Sequence, residues 1–158
     1  MIIFGIDPGP VRSAWVLYDA TAKEVRGAHI ESNADVLFRL RVDHAIGPSE
    51  RFVIEMIECM GMPVGREVFE TCVWIGRFTE ALGGDVTRLS RRQVKLHLCG
   101  TCRAKDANVR RVLLDRFGGD GACGTKRKPG PLYGVKRDLW SALALAVTYT
   151  EQNERDIV

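Results

Sequence analysis

Short apolar runs separated by turn residues fill the first third of the chain and predict β-strands. The first run, residues 2–6, has high β-propensity and ends at Asp7, where a Pro-Gly pair turns the chain. Segments 13–19 and 23–30 have a similar character and are joined by short connections. The pattern therefore predicts a three-stranded antiparallel meander at the start of the chain.

The rest of the chain combines helical periodicity with two further strands. Residues 51–57 are almost continuously apolar, which is typical of a strand in the middle of a sheet that is covered on both faces. Glu55 interrupts this run, and a shorter strand is predicted over 86–89. Apolar residues at helical spacing predict helices over 33–46, 67–82, 91–98 and 105–117, and a last, almost wholly apolar helix from about residue 138.

This order of elements predicts a single α/β domain over residues 1–158, built on a mixed five-stranded sheet with helices on both faces. The first three strands are antiparallel, and the first and fourth can lie side by side. Asp7 and Glu55 can then be neighbours. Ser90 is expected to cap the helix that follows it. Residues 119–134 are rich in Gly, Pro and Lys and predict a mobile basic loop.

Composition narrows the class of protein. With 46% hydrophobic and 27% charged residues, the sequence is typical of soluble globular proteins. No apolar run approaches the roughly 20 residues that span a bilayer, and the N-terminus lacks the basic segment of an export signal. We therefore expect a cytoplasmic protein without a membrane partner. The five cysteines are odd in number and unevenly spaced, which favours reduced thiols.

Charge is distributed unevenly along the chain. Residues 77–137 contain 15 basic and 5 acidic side chains, a net charge of +10, whereas the remainder contains 8 basic and 15 acidic side chains, a net charge of −7. The overall charge is only +3. Solvated helix faces can produce such a split, but a region this basic favours a polyanionic partner such as a nucleic acid.

Three carboxylates are candidates for chemistry. Asp7 and Glu55 are each the only acid in an apolar strand, and Asp138 lies at the start of the most apolar helix. Each also has a structural explanation, because Asp7 can cap a turn and Asp138 can cap a helix. If they converge, they raise one another's pKa unless a cation neutralises them. Oxygen ligands suit Mg²⁺, and a pair of such ions can activate water for attack on a phosphodiester.

Four motifs occur in a characteristic order: GIDPG at 5–9, VIEMI at 53–57, RQVKLHLCGTCRAKDANV at 92–109 and DLWSALALAVTY at 138–149. Together they resemble the RuvC-like Holliday-junction resolvases of the RNase H-like nuclease superfamily. GIDPG alone also resembles sugar-kinase and actin-like ATPases, but those are larger and need further glycine-rich loops that this chain lacks. The resemblance covers nearly the whole chain and implies an RNase H-like fold, cleavage of branched DNA and a homodimer.

The resemblance also implies roles for individual residues. Asp7, Glu55 and Asp138 match the acids that hold Mg²⁺, with Mn²⁺ as a substitute, and no small-molecule cofactor is implied. Lys95 matches a lysine near the scissile phosphate. Lys105 lies beside the position of another such lysine, which here is Asp106.

Two positions depart from the family pattern. Ser141 stands where the family usually has a second acid, so Asp138 must act alone or with help from Glu58, Glu70 or Asp106. Glu58 also stands where the bacterial resolvases carry an aromatic residue that wedges into the junction. The substrate therefore remains open among four-way junctions, flaps and forks.

The basic half supplies the predicted DNA contacts. These are Lys95, Arg103, Lys105, Arg110, Lys126, Arg127 and Lys128. Two rival functions remain: a junction-binding module without catalysis, which Ser141 favours, and a nuclease of the same superfamily that acts on RNA or RNA·DNA.

Two further patterns have competing interpretations. Cys99 and Cys102 have the spacing of zinc ligands, but no second pair matches them, so buried thiols and a packed His97 are favoured. Trp74 and Phe78 are either a dimer seam or part of the core.

Overall fold

The computed structural model describes residues 1–42, 50–59 and 61–155. The strands are β1 (Ile2–Asp7), β2 (Arg12–Asp19), β3 (Glu24–Ser32), β4 (Glu50–Met56) and β5 (Thr87–Ser90). The helices are α1 (Asn33–Val42), α2 (Arg66–Ala81), α3 (Arg91–Cys99), α4 (Asp106–Arg116) and α5 (Leu139–Arg155), and a short 3₁₀ turn spans Gly119–Ala122. Each predicted element is present, with ends shifted by one or two residues. The exception is the first helix, whose predicted residues 43–46 lie outside the described part of the chain.

The five strands form one mixed sheet in the order β3-β2-β1-β4-β5. β1 pairs antiparallel with β2, and β2 pairs antiparallel with β3. β4 runs parallel to both β1 and β5. The predicted α/β class and the juxtaposition of the first and fourth strands are therefore confirmed.

Hydrophobic cores lie on both faces of the sheet. One core packs α3, α4 and α5 against one face and includes Ile3 and Val53. The other packs α1 and α2 against the opposite face and includes Ile6 and Ile54. Because successive strand residues point to opposite faces, this assignment fixes the direction of every side chain along β1 and β4.

Helix α5 lies directly on β1. A Cβ atom built on Gly5 would come within 2.4 Å of the carbonyl oxygen of Ala142, so only glycine allows this approach. The first turn of α5 is thereby held over the carboxyl end of β1. The apolar residues of α5 are buried on all sides, as their sequence predicts.

Local sequence signals set the ends of α3. The Ser90 hydroxyl accepts a hydrogen bond from the backbone N–H of Gln93, and the Gln93 side chain accepts one from the backbone N–H of Ser90, which completes a capping box. Gly100 ends the helix in the left-handed conformation, with φ 71°. The cap predicted from Ser90 is confirmed, and it fixes where α3 begins relative to β5.

The segment predicted as a mobile basic loop is anchored in the core. It contains the 3₁₀ turn and an isolated β-bridge between Gly124 and Pro129. Two of its own residues, Ala122 and Leu132, are buried, and Leu132 is buried completely. The prediction missed this because two buried apolar residues among many Gly, Pro and Lys residues have no periodicity to reveal them.

Two aromatic residues of α2 pack inward. Phe78 is fully buried, and Trp74 packs beside it with ring centroids 5.8 Å apart. Phe78 belongs to the core, as the second interpretation holds, whereas Trp74 is partly buried against it, with the Arg77 guanidinium 4.2 Å from its ring centre. The exposed apolar side chains of α2 are instead Phe69 and Val73. Within the described ranges, no helix has the length and apolar character needed to cross a membrane.

Candidate active site

Asp7 and Glu55 lie together at the carboxyl edge of two parallel strands. Ile6 pairs with Ile54, which brings the two acids to the same level of the sheet. Both follow the alternation that places Ile3 and Val53 in the core beneath α5, so both point toward the first turn of α5. Two carboxylates thus share one corner of the fold.

The turn after Asp7 is held by a buried polar pair. The Ser13 hydroxyl donates to the Asn33 side-chain oxygen at 2.6 Å, and the Asn33 amide nitrogen donates to the carbonyl of Gly9 at 2.9 Å. Both residues are only 1% exposed. Neither was predicted from the sequence, although a polar residue inside an apolar strand was a signal for Ser13. Together they fix the path of the chain beside Asp7.

Asp138 immediately precedes α5 and stands at its N-cap. Its backbone carbonyl accepts hydrogen bonds from the N–H groups of Ser141 and Ala142, while its side chain is exposed. One turn later, the Ser141 hydroxyl lies near enough to the Asp7 carboxylate to lower the pKa of that acid. The start of α5 therefore faces the acid at the end of β1 from two positions.

The electrostatics of Asp7 are those of a crowded anionic site. Burial, reinforced by the negative charges of Glu55 and Asp138, raises the pKa of Asp7 from 3.8 to about 7. The charge of Arg91 and the Ser141 hydroxyl oppose this increase. Burial also raises the pKa of Glu55, against the opposing effects of Arg91 and Lys95. Glu55 and Asp138 are thus close enough to Asp7 to raise its pKa.

Two cations of α3 reach into this acidic corner. Arg91 Nε lies 3.2 Å from Glu55 Oε1, and Lys95 Nζ lies 3.0 Å from Asp106 Oδ1. The Lys95 hydrogen bond lowers the pKa of Asp106. Lys95 therefore lies at the predicted site, whereas Arg91 was not singled out from the sequence. The feature of the sequence that could have pointed to Arg91 is its position as the first residue of a helix that follows a strand parallel to β4.

An open cleft of about 790 Å³ lies beside the carboxylates. Asp7 and Glu55 line it together with four cations, which are Arg91, Arg92, Lys95 and Arg103. Glu58 and Glu67 also border the cleft. A groove lined by both acids and cations can bind a phosphodiester chain next to a metal-binding position.

The other acids considered as helpers are placed differently. Asp106 is paired with Lys95, and Glu70 forms an ion pair with Arg66 at 3.5 Å. Glu58 is exposed and borders the cleft without a hydrogen bond to Asp7 or Glu55 among the described contacts. Burial therefore singles out Asp7 and Glu55, although the charge of the exposed Asp106 also raises the pKa of Glu55.

The predicted DNA-binding residues divide into two groups. Lys95 and Arg103 line the cleft. The remaining ones, Lys105, Arg110, Lys126, Arg127 and Lys128, are exposed but are not part of its lining. Lys105 stands at the N-cap of α4, and the Arg110 guanidinium lies 5.1 Å from the Trp140 ring centre. No contact tests their role in DNA binding, which stays a prediction.

A second basic groove, of about 500 Å³, is lined by Arg12, His29, Lys136 and Arg137. Lys136 and Arg137 immediately precede Asp138 in the chain. Arg137 adopts the left-handed conformation with φ 51°, a strained geometry that costs roughly 1 kcal/mol or more and tends to occur at functional sites. The sequence placed Lys136 and Arg137 in the basic half but did not reveal the groove, since Arg12 comes from a distant segment.

Within the described ranges, no group of three or more His, Cys, Asp or Glu side chains is arranged to hold a metal ion. Asp7 and Glu55 alone nevertheless suit Mg²⁺, which is commonly bound by one or two carboxylates together with substrate phosphates. The cysteines are free thiols. His97 is nearly buried and pairs with Glu151 at 2.7 Å, as expected of a packed histidine.

Known proteins resemble this chain in structure rather than in sequence. No protein-family model matches the chain, and no curated protein matches it in sequence. Solved structures that are similar in fold include two of Thermus thermophilus RuvC. The structure of Thermus thermophilus RuvC matches with a TM-score of 0.67 and 20% identity, over 99% of this chain and 97% of that one. The chain has the RuvC fold.

A second RuvC structure supports the same assignment. Thermus thermophilus RuvC in complex with a Holliday-junction substrate matches with a TM-score of 0.63 and 20% identity, over 99% of this chain and 96% of that one. The predicted RNase H-like, RuvC-like architecture is therefore confirmed over almost the full length of both chains. At 20% identity the likeness concerns the fold, so activity has to be argued from the site itself.

Proposed function

We propose that the protein is a Mg²⁺-dependent, structure-selective endonuclease that cleaves branched DNA such as Holliday junctions. The observation that carries this proposal is the pair of buried carboxylates, Asp7 and Glu55, at the edge of a cleft lined by cations. The fold adds support, because RuvC of the same architecture is known in complex with a Holliday-junction substrate.

Mg²⁺ would be held by Asp7 and Glu55, with Asp138 as the third acid. When bound, the cation would supply the charge that activates water and stabilises the leaving oxygen of a phosphodiester. The donor chemistry fits, because all three residues offer oxygen ligands. The pKa of Asp7, raised to about 7, gives a second argument, since a cation is what would keep this crowded carboxylate ionised at neutral pH.

The remaining side chains have separate tasks in this proposal. Lys95, held by Asp106 at the cleft wall, stabilises the negative charge that grows on the phosphate during attack. Arg92 and Arg103 bind the DNA backbone along the cleft. Ser141, which accepts a hydrogen bond from Arg91, supports the corner beside Asp7. Glu58 stands where an aromatic wedge is expected, and its side chain has no ring that could stack at the junction centre.

A second function, a junction-binding module without catalysis, is favoured by one specific observation. Arg91 already neutralises Glu55, and Ser141 replaces the acid that the resemblance leads us to expect. Both features remove negative charge from the corner where a cation would bind.

A cleavage assay with several labelled substrates separates these functions. A synthetic four-way junction, a linear duplex of the same arm sequence and an RNA·DNA hybrid are mixed in one reaction with Mg²⁺, Mn²⁺ or EDTA. We expect the junction to be cut in either metal, at least about tenfold faster than the duplex, and not in EDTA. Tight junction binding without cleavage in either metal would establish the non-catalytic function. Preferred cleavage of the hybrid would reassign the substrate to RNA·DNA.

A homodimer is proposed from an exposed apolar stripe on α2. Phe69 and Val73 are 60% and 57% exposed, and they stand at i and i+4 on one helix face. Gly76 follows at i+7 with open space around it, which would let a second helix approach closely. We expect Phe69→Glu with Val73→Glu to convert a dimer into a monomer, because charges would be buried in the seam.

The dimer prediction is checked by sedimentation velocity. The matched control is Phe38→Glu with Val42→Glu on α1, whose side chains are similarly exposed at 68% and 57%. The control should keep the wild-type mass of two chains. A monomeric wild-type protein, or equal dissociation by both double variants, would refute the α2 seam.

The second basic groove is expected to contact the DNA backbone. Each phosphate contact adds roughly 0.7 to 0.9 to the slope of log K against log salt concentration. Lys136→Ala with Arg137→Ala should therefore flatten this slope by about 1.4 to 1.8 for junction binding in EDTA. Fluorescence anisotropy over a series of salt concentrations measures it.

Lys23→Ala is the control for the groove, because Lys23 lies in the β2–β3 turn, at the end of these strands opposite to Arg12. It should leave the slope within about 0.3 of the wild type, which is less than one phosphate contact. An unchanged slope in the Lys136 and Arg137 double variant would remove this groove from the DNA path.

A further inference from the structure

The guanidinium of Arg91 lies at the centre of the acidic corner. Besides the 3.2 Å contact with Glu55, its Nη2 donates to the Ser141 hydroxyl at 3.2 Å. Asp106 lies 3.8 Å from its Nη1. Asp7 and Asp138 also interact with its charge. A single side chain therefore faces every acid that the proposed function assigns to the metal.

The positions of Arg91 and Ser141 are chemically linked. An aspartate at 141, as the resemblance leads us to expect, would add a negative charge to the corner; serine instead offers a neutral oxygen to the guanidinium. Three ionised acids with one arginine carry a net charge of −2, whereas four acids without it would carry −4. The acidic corner of this chain is thus less negative than one with four acids, and it already contains a cationic side chain.

We propose that Arg91 is a resident counter-ion that holds the carboxylates together without metal and must release Glu55 before a divalent cation binds. The inference rests on the proposed function and specifies how its metal site is regulated. Arg91 is suited to exchange because its side chain is 47% exposed, whereas that of Glu55 is only 16% exposed. The guanidinium can therefore swing outward while the carboxylate stays in place.

Once released, the guanidinium would be free to bind a phosphate group of the DNA backbone. Arg91 already lines the cleft together with Asp7 and the cations Arg92 and Lys95. Its planar donors match a phosphate group, which Arg binds in a bidentate way. Arrival of metal and substrate would thus transfer Arg91 from a carboxylate to the DNA backbone. It acts as a positioning residue for the acids, not as a reacting group.

The first test measures Mn²⁺ binding by calorimetry without DNA. Arg91→Gln keeps a polar side chain but removes the competing charge, so we expect Mn²⁺ affinity to rise at least about tenfold. Arg91→Lys keeps the charge and should stay within about threefold of the wild type. Arg92→Ala removes a neighbouring charge that has no described ion pair with Glu55, and it should change affinity less than about threefold.

The second test observes Arg91 itself. In ¹⁵N-labelled protein, the Nε–H resonance that disappears in Arg91→Gln identifies this side chain. In EDTA it should exchange slowly with water because the ion pair with Glu55 keeps this N–H away from solvent. On addition of Mg²⁺ it should shift and exchange rapidly, while the Nε–H of Arg92 stays unchanged. This readout needs no enzymatic activity and would not move if Arg91 were a fixed structural partner.

The outcomes separate the proposal from the function on which it rests. Affinity in Arg91→Gln that is equal to or below wild type, or an Arg91 resonance unaffected by Mg²⁺, overturns the exchange. If the wild type still cuts junctions in Mg²⁺, the nuclease function stands without it. If neither wild type nor Arg91→Gln binds Mn²⁺, both ideas fall.

Discussion

Asp7→Asn is expected to lower the rate of junction cleavage by at least about 10³-fold while the protein keeps its fold. The substituted amide would retain the size of the side chain. It would lack the negative charge that holds a cation beside Glu55. The measurement is single-turnover cleavage of a labelled four-way junction in Mg²⁺.

Asp85→Asn is the matched control for this variant. Asp85 is exposed in the connection before β5, at the end of the parallel strands opposite to Asp7, and its substitution makes the same change of charge. The control should cleave within about twofold of the wild type. Equal cleavage by wild type and Asp7→Asn would remove Asp7 from the mechanism, and equal loss in both variants would point to net charge as the cause.

The free energy of unfolding in EDTA should depend on pH through Asp7. Its pKa is about 7 in the folded protein and 3.8 in the reference state, so the folded form binds more protons between these values. Stability from this group therefore falls as pH rises from about 4 to 7 and stays low above 7. The shift corresponds to an upper bound of about 4 kcal/mol.

Urea denaturation of wild type and Asp7→Asn at about pH 5 and about pH 8 tests this expectation. Other carboxyls with lowered pKa, such as Asp19 and Asp106, change stability in the opposite direction but are common to both proteins. We expect Asp7→Asn to be more stable than wild type at the higher pH, by up to about 3 kcal/mol beyond any difference at the lower one. Parallel pH profiles would contradict the buried, crowded environment of Asp7.

The fold could be predicted because its main determinants are local or periodic. The apolar run before Asp7 and the one around Glu55 mark interior strands, and a connection through a helix makes them parallel neighbours. The ends of α3 can be predicted from Ser90, whose side chain caps the start of the helix, and from Gly100, which ends it in the left-handed conformation. From these features the convergence of Asp7 and Glu55 follows, since strand alternation decides which way they point.

The site was harder to predict where long side chains or distant segments meet. Whether Arg91 reaches Glu55 depends on the rotation of α3 relative to β4, which its own sequence does not encode. The groove of Arg12, Lys136 and Arg137 joins segments more than 120 residues apart. Leu132 is buried because of the loop's path over the core, not because of any local pattern.

The contact between Gly5 and Ala142 has a consequence for how variants of this protein will behave. At this point the Gly5 backbone faces the carbonyl of Ala142 and the small side chain of Ala146, so no large side chain sets the height of α5 above β1. Substitutions that enlarge or truncate a side chain in either core would then lower the stability of the whole protein without widening the spacing between β1 and the start of α5. Thermal stability and catalytic activity can consequently change independently of each other during evolution, provided that position 5 remains glycine.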